Sequence, residues 1–144
     1  MTSKFDTKQF IITTLIVSIW VNLSEVFRYF VIVLPKMREY LSVLPSAAAM
    51  DLGIFAIWGV WAMVLTALVV FMHWLVVQCF GHSLKTVLLA GTVSWLFFFV
   101  LFWVGLVNLG LAPVSLALTA LPLAWLEMVG ASWIAHKCYV RASI

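Results

Sequence analysis

Four apolar runs dominate this chain, and each is long enough as a helix to cross a lipid bilayer. They cover approximately Phe10 to Leu34, Ala48 to Phe80, Thr86 to Leu109 and Val114 to Cys138. A hydrocarbon core of roughly 30 Å takes about 20 helical residues, whereas barrel strands would alternate in blocks of about ten. Lipid is therefore the expected solvent. Composition agrees: of 144 residues, 66% are hydrophobic and 9% charged, with a mean hydropathy of +1.20. A soluble domain carries roughly 25% charged residues, so this chain has too little polar surface to cover a core in water. The expected fold is an all-α integral membrane protein, a four-helix antiparallel transmembrane bundle forming a single domain over residues 1–144.

Helix breakers agree with these borders. Pro35, followed by Lys36, Arg38 and Glu39, is expected to stop the first span. Pro45-Ser46 precedes the second, with Ser46 as its N-cap. Gly81-His82-Ser83 turns the chain into the third span, and Gly110-Leu111-Ala112-Pro113 into the fourth. Pro122 lies inside the fourth helix, where its ring and missing donor should kink it. Connections this short force neighbouring helices to run in opposite directions.

The net charge of +3 is spread over the ends of the apolar runs. That is a topology signal, not a phosphate-binding face, and no nucleic-acid partner is expected. Lys4, Lys8, Lys85, Lys137 and Arg141 fall on one side, Lys36 and Arg38 on the other. This asymmetry places both termini in the cytoplasm, in a bacterial inner membrane. Glu25 and Arg28 interrupt the first apolar run, so it does not read as a cleaved signal. Cys79 and Cys138 fall near the cytoplasmic helix ends, a reducing side where a disulfide is not expected.

The informative residues are the polar ones inside the spans. Thr14, Ser18, Asn22, Glu25 and Tyr29 follow helical spacing and form one stripe, and Arg28, three residues after Glu25, can pair within the helix. A charge at the centre of a span costs about 2.5 to 3.5 kcal/mol on insertion scales, so this stripe should face inward. Glu127, within LAWLEMVGASW, has no basic residue within four positions. It takes a partner from another helix or carries its proton. Counted from the cytoplasmic ends at about 1.5 Å per residue, Glu25 lies ~22 Å and Glu127 ~16 Å into the bundle. Asn22, Glu25, Arg28 and Glu127 are therefore expected to form one buried cluster joining the first and fourth helices.

His73 lies in the second span and is expected to hydrogen-bond a neighbouring helix. Cys79-x-x-His82 and His136-x-Cys138 carry metal-ligand residue types near one face, but the second pair points to different sides of a helix. No metal site is expected, and His73 and His136 are expected at different depths. No cofactor is legible. Of eight Trp, Trp58, Trp61 and Trp133 fit interfacial belts, while Trp95, Trp103 and Trp125 lie deeper and could line a pocket for a flat apolar ligand. No nucleophile–base pair or phosphate loop is visible.

These features point to a non-catalytic membrane protein: an accessory or assembly subunit, or a binder of a small apolar ligand. Its expected partners are the bilayer and either further copies of itself or another membrane protein. The alternative is a small proton-coupled carrier with Glu25 or Glu127 as the proton site. Candidate ligand- or proton-handling residues are Asn22, Glu25, Arg28, Glu127 and His73.

Overall fold

The computed structural model describes residues 5–42 and 51–142. The described residues are helical or in short turns, with four helices long and apolar enough to cross a membrane: α1 (Thr7–Tyr40), α2 (Leu52–Phe80), α3 (Leu84–Asn108) and α4 (Val114–Ala142). Three helix starts are closed by side-chain caps that satisfy orphan amides. Asp6 accepts from Gln9 N at 3.1 Å, Asp51 from Ile54 N at 2.8 Å, and Ser83 from Thr86 N at 3.1 Å. The expected Ser46 cap and the expected start of the second span at Ala48 lie outside the described residues. Gly81 (φ 71°) and Gly110 (φ 68°) take the left-handed conformations that end α2 and turn the chain into α4.

The first helix departs from expectation. It does not stop at Leu34 but continues through Pro35 to Tyr40. A π-turn over Tyr29–Val33, closed by Leu34 N donating to Tyr29 O, widens the helix immediately ahead of Pro35. Pro35 then sits in the first turn of the following α-segment, where a missing N–H does little harm. A second π-turn, Leu96–Val100, interrupts α3. The fourth helix runs through Pro122 and four residues beyond the expected end at Cys138.

Packing is centred on α4, which lies against each of the other three helices. Its inner face is built from small residues: Ala117, Ala120, Ala124, Ala131 and Ala135 are all buried. Small side chains let helix backbones approach closely. The closest approach is at Gly91 on α3, where an added Cβ would meet Val129 Cα at 2.7 Å. On the other side of α4, the ring of Trp20 fills the space over Gly130.

The outer surface of the bundle is apolar, and polar side chains lie inside it beside an apolar core. On α1, Thr13, Thr14, Ser18, Glu25 and Arg28 are buried, while Ile11, Leu15, Ile19, Leu23 and Phe27 are exposed. On the remaining helices Thr66, His73, Ser94, Glu127 and Ser132 are buried.

Candidate functional site

Two polar groups lie inside the bundle. The first joins α1 to α4. Arg28 pairs with Glu25 one turn before it on the same helix, and its other reach is to Oε2 of Glu127 at 3.3 Å. The two carboxyl groups are close enough to interact with each other. Glu25, Arg28 and Glu127 are 7%, 6% and 2% exposed, so bulk solvent screens the group only weakly. A planar guanidinium with several donors suits a shared position between two carboxylates. Even so, Arg28 Nε and Glu127 Oε1 are buried without a hydrogen-bond partner among the described residues. The guanidinium also lies 4.6 Å above the centre of the Phe99 ring of α3. Three helices thus converge on Arg28.

Asn22 behaves differently from expectation. It is only partly buried, and its side chain donates to Ser18 O of its own helix at 2.8 Å. A polar side chain that satisfies itself on the preceding turn needs no partner from α4. The structure brings Glu25, Arg28 and Glu127 together and leaves Asn22 beside them.

Beside the ion group is an open-sided cavity of about 590 Å³, lined by α1, α2 and α3. Glu25 and Arg28 form its polar floor. Its walls include Tyr29, Trp58, Trp61, Phe98, Phe102 and Trp103. Both π-turns open onto this one cavity, through Tyr29 and Val33 from the first and Phe98 and Phe99 from the second. A π-turn inserts an extra residue per turn and rotates the side chains that follow; such turns recur at functional sites. Neither the π-turns nor the cavity could be read from helical periodicity, because each depends on a local departure from it. The nearest sequence signal was the clustering of aromatic residues in the second and third spans.

Several indoles serve packing instead. Trp20 donates to Glu127 O at 2.9 Å, Trp95 to Leu121 O at 2.8 Å and Trp125 to Thr92 Oγ1 at 3.0 Å. Each donor-only ring finds an acceptor on another helix. Trp58 and Trp61, expected as belt residues, line the cavity.

The second polar group surrounds His73. Ser132 of α4 donates its hydroxyl proton to Val87 O at 3.0 Å, so it accepts at 2.8 Å from Nδ1–H of His73. That places a proton on Nδ1; Nε2 is buried with no hydrogen-bond partner among the described residues. The rings of His73 and His136 are 5.8 Å apart and those of His136 and His82 are 5.4 Å apart. The expectation that His73 and His136 differ in depth is therefore corrected: α4 extends beyond Cys138, so His136 is less terminal than a count from that residue placed it. Among the described residues no three His, Cys, Asp or Glu side chains are arranged to hold a metal ion. Both cysteines are free.

Comparison with protein-family models, curated proteins and solved structures finds no match to this chain.

Proposed function

We propose that this protein is a non-catalytic bundle inserted in a membrane, where it binds a small apolar ligand in the cavity above Glu25 and Arg28. The observation that carries this reading is the convergence of both π-turns on one aromatic cavity with a charged floor. A helix pair that only had to pack would keep regular turns and fill the space with side chains.

Insertion is supported by the apolar exterior of the bundle, since exposed Ile, Leu, Val and Phe are compatible with lipid while Glu25, Arg28 and Glu127 are kept inside. The short turns at Gly81 and Gly110 support an antiparallel arrangement. The bias of Lys and Arg supports cytoplasmic termini, and we assign the protein to a bacterial inner membrane. In that setting the ligand-binding bundle acts as an accessory subunit, as a homo-oligomer or beside a partner membrane protein.

The test is native mass spectrometry of the protein purified in mild detergent, with the bound species identified after release. A defined apolar molecule is expected at one per chain. Trp58→Ala should lower affinity for that molecule about tenfold, as truncation of a central aromatic contact commonly does, with helical content unchanged. Recovery of detergent alone, with no saturable binding, would count against the cavity as a site.

A second reading is favoured by the unpartnered Oε1 of Glu127. Two carboxyl groups sharing one guanidinium have a place for a proton, as a small proton-coupled carrier using Glu25 or Glu127 requires. Loss of pH-driven uptake in vesicles on Glu25→Gln, with folding intact, separates the carrier from the static binder.

A further inference from the structure

Resting on the reading of the cavity as a ligand site, we infer the chemical class of its ligand: an organic cation with an apolar body, paired to Glu25 and enclosed by the aromatic walls. Charge arithmetic is the starting point. Glu25 and Glu127 contribute two negative charges when ionised and Arg28 one positive charge, so the group is one positive charge short of neutrality. A proton supplies that charge when the site holds no ligand, and a bound cation can supply it instead.

The arrangement shows where the cation would sit. Glu25 and Arg28 line the cavity, whereas Glu127 does not; it approaches Arg28 from α4, 3.3 Å away. A cation that pairs with Glu25 leaves Arg28 to Glu127, giving two pairs where one guanidinium had served two carboxylates. The carboxyl proton then leaves the site, so charge balances: one cation enters and one proton departs. Among the described residues, no titratable side chain of α2 or α3 lines the cavity, and on α1 the only others there are Arg28 and the phenol of Tyr29. The floor carboxylate is thus the one group there able to neutralise an incoming charge.

The walls suit the same ligand. Aromatic faces carry partial negative charge and attract cations, and this cavity already shows the interaction in Arg28 over Phe99. Trp58, Trp61, Trp103 and Phe102 present further indole and phenyl surface around the remaining space. An anionic ligand meets the opposite situation, because its one counter-charge is held by two carboxylates. A neutral ligand gains the apolar contacts but leaves the proton in place.

Three probes carrying phenyl groups on a central atom separate these cases: the cation tetraphenylphosphonium, the neutral triphenylphosphine oxide and the anion tetraphenylborate. Each is titrated into the purified, unaltered protein, with quenching of Trp fluorescence as the readout. Tetraphenylphosphonium is expected to bind at least about tenfold more tightly than the neutral oxide, a ratio within reach of one desolvated cation–π and ion-pair interaction. Tetraphenylborate is expected not to saturate. In weakly buffered solution, phosphonium binding should release about one proton per site, and its affinity should fall as pH is lowered. Glu25→Gln should remove that preference and the proton release. Because the probe comparison is made on the unaltered chain, it holds even if the variant does not fold. Equal binding of phosphonium and oxide would overturn the cation assignment while leaving the cavity as an apolar site. No saturable binding of any probe to folded protein would overturn both.

Discussion

Replacing Arg28 with Met is expected to lower stability by about 3–5 kcal/mol, the usual cost of removing one partner from a buried ionic group. The side chain is 8% exposed and reaches carboxylates on two helices. Without it, Glu25 and Glu127 are left as two like-charged groups beside each other, both almost fully buried and with no cation between them. The thioether also gives up the position over Phe99. Lys at the same place keeps the charge but not the longer, planar group whose Nη2 lies between both carboxylates, so Arg28→Lys should lose less than Arg28→Met and more than a surface substitution. Equilibrium unfolding in mixed micelles measures the order. Equal stability of the Met variant and the parent would mean that the ion group contributes nothing to holding α1 against α4.

The second large effect is expected at Gly91. A Cβ there would sit 2.7 Å from Val129 Cα and 2.9 Å from Val129 N. Both are backbone atoms of α4, so no side-chain rotation relieves the overlap and the two helices must move apart. Gly91→Ala should cost about 1–3 kcal/mol, the range for overpacking a close-packed interior, and Gly91→Leu should prevent the compact bundle from forming. Gly105 on the same helix is the internal control. Among the described residues nothing lies within 4 Å of where a Cβ on Gly105 would stand. Gly105→Ala should therefore be neutral or stabilising by up to about 1 kcal/mol through helix propensity. Similar losses at both positions would show that flexibility, not the approach of α3 to α4, sets the requirement for glycine.

How much was legible in the sequence varies with how local the cause is. The number of helices long and apolar enough to cross a membrane follows from apolar length, which depends on few other residues, and four such helices are present among the described residues. Helix ends depend on single hydrogen bonds. Asp51 and Ser83 cap α2 and α3 because each has an unpaired amide within reach, while Pro35 fails to end α1 because a π-turn accommodates it. That compensation has no signature in a hydropathy pattern. The convergence of Glu25, Arg28 and Glu127 was open to an argument from expense, since charged groups in an apolar chain have few places to go. Asn22 escaped the same argument because an amide can be satisfied by its own helix. That His73 bonds a neighbouring helix was legible, but its partner Ser132 was not, as naming it requires the rotation and depth of α2 against α4 to within one residue.

The central claim, that Arg28 holds α1 to α4 through Glu127 beneath the cavity, is tested most directly by a double-mutant cycle of Arg28→Met and Glu127→Gln. Unfolding free energies of the parent, both single variants and the double variant give the coupling between the two side chains. A shared buried contact predicts a coupling of at least about 1 kcal/mol, with the double variant more stable than the sum of the single losses implies. Losses that add to within about 0.5 kcal/mol, the margin for independent sites, would contradict it.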